Sequence, residues 1–183
     1  ATSMTLRGIG KDYSVSMTPA REAVRRLIAE GALMLSPSGR VSTAELTNDR
    51  IEELAVMRSL IEVELSSRAL PRAHSALIDR LKTINASVSQ AITTHNPVEY
   101  IRTNLEFHRM LYLRAQAPAM LAIAETVWLQ LGPTMRSLYE QFNRKEPPHT
   151  HTAIIAALTA GDEPGLRLAV RSDVTHGLRH LLK

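Results

Sequence analysis

Val15-Ser16-Met17-Thr18-Pro19-Ala20-Arg21-Glu22-Ala23-Val24-Arg25-Arg26-Leu27, followed three residues later by Glu30-Gly31, reads as a turn feeding a short basic helix. Thr18 offers a side-chain oxygen at the N-cap, and Pro19 takes the first helical position, where its missing N–H costs nothing. Glu22 supports the first turn. The helix is expected to run to about Glu30, with Ala23, Leu27, Ile28 and Ala29 available to pack inward. Gly31 then stops it, because glycine enters the left-handed region without steric cost.

The pattern extends outward in both directions. Upstream, residues 5–13 show a helical pattern weakened by Gly8 and Gly10, each of which costs about 1 kcal/mol relative to alanine. Downstream, Leu33-Met34-Leu35 and Arg40-Val41-Ser42 flank the turn Ser36-Pro37-Ser38-Gly39. Two short extended runs around a Pro/Gly turn predict a hairpin. Helix, turn, helix, hairpin is the layout of a winged helix-turn-helix, assigned to residues 1–46.

Residues 47–183 carry no strand signal and read as six helices. They are expected over about 48–70 (stopped by Pro71), 74–94, 97–115, 118–142, 150–160 (stopped by Gly161) and 163 onward. Gly132-Pro133 is expected to kink the fourth. The composition agrees: 44% of the 183 residues are hydrophobic but only 4% aromatic, a mix that favours helix on helix over sheet. The expected fold class is therefore mainly α, a partial winged helix plus an all-α bundle. The absence of cysteine excludes disulfides and thiolate metal sites and fits a cytoplasmic protein. No apolar run reaches the roughly 20 residues that cross a bilayer. The formal charge of +4 permits nucleic acid as a partner without requiring it.

Several polar groups fall on apolar helical stripes. Arg58 lies within the stripe Ile51, Leu54, Ile61 and Leu65. It pairs with an internal glutamate such as Glu62 or Glu125, reaches water from the edge of the stripe, or binds the carboxylate of a ligand. Asn104 and His108 stand one turn apart beside Ile101, Leu105, Leu111 and Tyr112. His151 precedes Ile154, Ile155 and Leu158 at helical spacing, and Asp173 lies with Leu166, Ala169 and Val170, near His176 and His180. Three helices thus each aim a nitrogen or oxygen ligand inward. Imidazole plus carboxylate without thiolate suits Zn, Ni, Mn or Fe. The plainer alternative is a set of core side chains that satisfy one another.

The stretch from Val15 to Gly31 resembles the recognition helix of GntR-family bacterial transcription regulators. Arg58, the run Asn104-Leu105-Glu106-Phe107-His108-Arg109 and the segment from His151 to Asp162 resemble the FCD effector domain of the FadR subgroup. The resemblance implies a homodimer that binds a palindromic operator, most often as a repressor, and responds to a small metabolite, often an organic acid, in the helical domain. It assigns DNA contacts to Arg7, Ser16, Thr18, Arg21, Gly39 and Arg40, and an effector site to Arg58, Asn104, His108, His151 and Asp173. Many such domains hold a divalent metal through one Asp and three His. Those positions fall here on Asn104, His108, His151 and Asp173, so two of the four depart from the pattern. His108, His151 and Asp173 remain as a two-histidine, one-carboxylate set. Met17 replaces a usual arginine, and the family's first winged-helix helix would precede Ala1.

A competing class is a metal-dependent enzyme acting on a small carboxylic acid through His108, His151 and Asp173, since such a set also activates water. No nucleophile motif or general base accompanies it, and that class leaves the recognition-helix pattern unexplained.

Overall fold

The computed structural model describes residues 4–44, 46–141 and 150–179. Its first elements are strand β1 (Met4–Thr5), helix α1 (Leu6–Asp12), helix α2 (Met17–Ala29), and strands β2 (Leu33–Leu35) and β3 (Arg40–Thr43). The hairpin is as expected: β2 and β3 pair antiparallel, with Leu35 opposite Val41. The sequence pattern did not anticipate β1, which adds to the other edge of β3 and sets Met4 opposite Val41. Thr5, read as helical, is instead a strand residue that caps α1, its hydroxyl accepting from the Gly8 N–H at 3.1 Å. Val41 is completely buried at the centre of this small sheet.

The start of α2 corrects the expected cap. Ser16 is the extended N-cap residue and Met17 the first helical one, so Thr18 and Pro19 lie inside the first turn. Pro19 is tolerated there because the first four N–H groups of any helix lack intrahelical partners. Gly10 does more than weaken α1. A Cβ there would stand 3.1 Å from the Val15 carbonyl oxygen, so a glycine lets the turn fold tightly back onto the helix.

Among the described residues six helices follow: α3 (Asn48–Ala69), α4 (Ser75–Thr93), α5 (Pro97–Tyr112), α6 (Pro118–Gln141), α7 (Thr150–Ala160) and α8 (Glu163–Arg179). Pro71 and Ala115 fall in single 3-10 turns after α3 and α5. The Thr47 hydroxyl caps α3, and the Asn96 side chain caps α5. The kink expected at Gly132-Pro133 does not end α6, which runs as one helix through Pro133. The loop 143–148 and His180 lie outside the described residues. α3 packs along α8 and α6, α4 along α5, and α7 against α4 and α8.

The main core gathers Leu65, Leu81, Phe107, Leu111, Tyr112, Ile154, Leu166 and Val170 from α3, α4, α5, α7 and α8. Burying each such side chain stabilises the fold by about 1.5–3 kcal/mol, so these stripes fix which helix faces meet. They also bring Arg58, His108, His151 and Asp173 to the bundle centre. Among the described residues, no helix is long and apolar enough to cross a membrane.

Candidate functional site

Glu62 is the hub of the buried polar network. It sits four residues after Arg58 on α3, so the two side chains share one face. The Arg58 Nε donates to Oε1 at 2.5 Å, and a second guanidinium nitrogen donates to Oε2 at 3.2 Å. The Trp128 indole N–H of α6 also reaches Oε1, at 2.8 Å, and the Tyr112 hydroxyl of α5 donates to Oε2 at 3.0 Å. Burial alone would raise the Glu62 carboxyl, but Arg58, His108 and the Trp128 N–H together hold it below its usual range. Of the two carboxylates weighed as partners of Arg58, Glu62 is the one. Glu125 pairs instead with Arg109 at the surface.

Tyr112 passes the network on to the histidines. Its hydroxyl proton is spent on Glu62, so its oxygen accepts from the His108 Nδ1 at 3.2 Å. With Nδ1 donating to Tyr112, Nε2 is the His108 ring nitrogen that faces the site. Across the site, His151 Nδ1 stands 3.2 Å from the Asn85 side-chain oxygen of α4. Donation there leaves the His151 Nε2 lone pair pointing inward. Burial, opposed by Asp173 and reinforced by His108, pulls the His151 pKa down to about 4, which keeps the ring neutral near pH 7. Its plane is held by Phe107, stacked at 3.9 Å and 8°.

The two Nε2 atoms are 3.3 Å apart. Asp173 of α8 adds one carboxylate oxygen 3.0 Å from His108 Nε2 and the other 3.8 Å from His151 Nε2. The three ligand atoms all lie within 4.8 Å of one another. This donor set fits a divalent ion: nitrogens bound at about 2.0–2.1 Å with tetrahedral angles lie roughly 3.3–3.4 Å apart. Each histidine is also oriented through its other ring nitrogen, as metal-ligating histidines almost always are.

The remaining site residues fall around this centre. Asn104 is buried one turn before His108 on α5, and its amide makes no hydrogen bond among the described residues. Arg58 is buried, and its third guanidinium nitrogen, Nη1, has no partner among them either. Tyr100 is buried nearby; burial first and Asp173 second raise its pKa, against the pull of Arg58. Asn85, Tyr112 and Trp128 went unassigned in the sequence reading. Only Tyr112 left a signal, as a tyrosine on the face of His108 whose hydroxyl needed a partner.

The six positions assigned to DNA are all exposed. Arg25 is paired with Glu22 at 3.4 Å and Arg26 with Glu30 at 2.8 Å. Among the described residues Arg7, Arg21 and Arg40 make no ion pair, so their charges are available to a partner.

A two-strand wing beside a basic helix, joined to a helical bundle with a buried His–His–Asp cluster, fits the class of ligand-responsive regulators. Residues 53–176 match the FCD domain. The chain is 25% identical over 164 residues to the HTH-type transcriptional regulator McbR of Escherichia coli strain K12, covering 88% of this chain and 74% of that protein. The solved structure of E. coli McbR/YncC superposes with a TM-score of 0.89 at 22% identity, covering all of this chain and 89% of the other. A GntR-family regulator from Pseudomonas syringae pv. tomato gives 0.57 at 16% identity, covering 98% and 75%. The chain belongs to the GntR-family transcription regulators that carry an effector-binding FCD domain. It is a regulator and not an enzyme, which sets aside hydrolytic chemistry at His108, His151 and Asp173.

Proposed function

We propose that the protein is a cytoplasmic repressor that binds a palindromic operator as a homodimer and is controlled by a small carboxylate held at a divalent metal in the bundle. Residues 1–46 form the DNA-reading part and 47–183 the sensing and dimerising part. One observation carries the metal: His108 Nε2, His151 Nε2 and an Asp173 oxygen converge in a buried site, with both histidines oriented from behind. Zn, Ni, Mn or Fe suits these ligands. Bound there, the ion supplies a Lewis-acidic centre for carboxylate oxygens. Nη1 of Arg58 and the amide of Asn104 are the further groups able to orient an acid. Family positions with Asp and His carry Asn104 and Asp173 here, so the donor set keeps one carboxylate, on a different helix.

On the DNA side Arg7, Arg21 and Arg40 supply free cations, with Ser16, Thr18 and Gly39 beside them. Phosphate contacts fix register, and base contacts from α2 set sequence preference. The acid alters operator affinity only by binding the two dimer arrangements unequally.

The test uses the full-length protein and a duplex selected by it from random-sequence DNA. Arg21→Ala weakens binding to that duplex; unchanged affinity in a gel shift rejects the docking. A thermal-shift panel of small organic acids and divalent metals, with and without chelator, tests the site. A ligand at about 100 times its Kd adds roughly 2.7 kcal/mol of stability. An acid response that chelator or the double substitution His108→Ala/His151→Ala abolishes supports the metal-held acid. A response that survives both rejects the metal and favours direct binding by Arg58.

A further inference from the structure

The bundle and the first lobe are joined, among the described residues, by one hydrogen bond. The Gln130 side-chain N–H of α6 donates to the Glu30 carbonyl, at the C-cap of α2, at 2.9 Å. The other end of the same amide accepts from Arg50, in the first turn of α3, at 2.7 Å. Arg50 is itself paired with Glu53. Both ends of the amide are thus used, and its orientation is fixed by the bundle.

The next residue of the lobe confirms the closeness of this seat. Gly31 has φ +74°, and a Cβ on it would meet the Gln130 side chain at 3.2–3.3 Å. Glycine here both ends α2 and admits Gln130. Glu30 in turn holds Arg26 of α2 at 2.8 Å.

Gln130 stands two residues after Trp128 on one unbroken helix. Trp128 donates to Glu62, which through Tyr112 holds His108 of the ligand site. One end of this segment of α6 therefore reads the charge network of the buried site, and the next half-turn seats the end of the DNA-reading helix. The geometry points to Gln130 as the positioning residue that couples the ligand site to α2. A change at the site that alters the Glu62–Trp128 bond moves Gln130 against Glu30 and Gly31, and so changes how firmly α2 is held. This rests on the reading of the bundle as sensor and the first lobe as operator reader.

The test is amide hydrogen exchange of the full-length protein over residues 28–33, with Zn2+ or with chelator. Binding of Zn2+ is followed separately by fluorescence of Trp128, the one tryptophan in the chain. In the unaltered protein Zn2+ changes exchange at 28–33 by about fivefold or more, the lower end of typical coupling between sites. In Gln130→Leu the metal binds with unchanged affinity and that response is lost. A response retained in Gln130→Leu, or none in the unaltered protein despite metal binding, overturns the coupling and leaves the sensor reading standing. If Zn2+ does not bind, the metal reading fails by itself, and Trp128→Phe decides the coupling. That substitution must alter exchange at 28–33 in the presence of Gln130 and not in Gln130→Leu; equal effects in both backgrounds overturn it.

Discussion

Glu62 and the His108–His151–Asp173 cluster belong to one chain of hydrogen bonds, joined through Tyr112, yet they meet burial in opposite ways. Around Glu62 every lone pair has a donor: two from Arg58, one from Trp128 and one from Tyr112. At the other end two imidazole nitrogens and a carboxylate turn acceptors toward one another. The first arrangement is closed and needs nothing from outside. The second has the donor set that the cation proposed above would complete. The contrast teaches that a buried polar cluster is best judged by which way its protons point, since both ends are largely removed from water.

Four measurements test how far the two ends differ. The largest effect is expected for Glu62→Ala. It strands Arg58 in the core and costs about 3–5 kcal/mol of unfolding free energy in chemical denaturation, whereas His151→Ala in chelator costs far less. Equal losses would erase the distinction. Next, Tyr112→Phe cuts the link between the ends, leaving His108 Nδ1 and Glu62 each one partner short, and costs about 1–3 kcal/mol. A neutral result would show that the link bears no energy.

Asn85→Ala acts only on the open end. It frees the His151 ring and lowers Zn2+ affinity by about 10–100-fold in calorimetry, with the chelated protein melting as before. The smallest effect is on pH dependence. The His151 pKa falls from 6.5 to about 4 on folding, so the unfolded chain binds more protons between those values. Chelated protein should therefore lose stability on acidification below about 6.5, by under about 1 kcal/mol from pH 7 to pH 6. His151→Gln removes that slope. A slope unchanged by the substitution would place it on another group.

Much of this was legible in the sequence because it depends on local chemistry. Pro71, Pro118 and Gly161 mark helix ends, and the Pro/Gly turn at 36–39 marks the hairpin. Arg58 and Glu62 announce their pairing by a spacing of four, and His108, His151 and Asp173 by their place on apolar stripes. What escaped depends on contacts between distant segments. β1 has only two residues and exists because β3 offers an open edge. Asn85 and Trp128 lie on helices whose rotation is set by the whole core, so no local period could reveal that one meets His151 and the other Glu62. The cap of α2 was misplaced by two residues because Thr18 and Ser16 are both residue types favoured as caps, and the extended residue is Ser16, whose side chain makes no capping hydrogen bond.

The Gln130–Glu30 bond joins residues 100 positions apart, and that separation has a consequence in time. During synthesis the lobe that carries α2 is complete long before its seat exists. At about 5–20 residues per second, translation needs roughly 5–20 s to supply the intervening chain. For that interval α2 lacks the Gln130 contact and is held within the lobe by contacts that include the small sheet and the packing of α1 on α2. The newborn chain therefore carries α2 for some seconds before Gln130, its hydrogen-bond partner on α6, has been made.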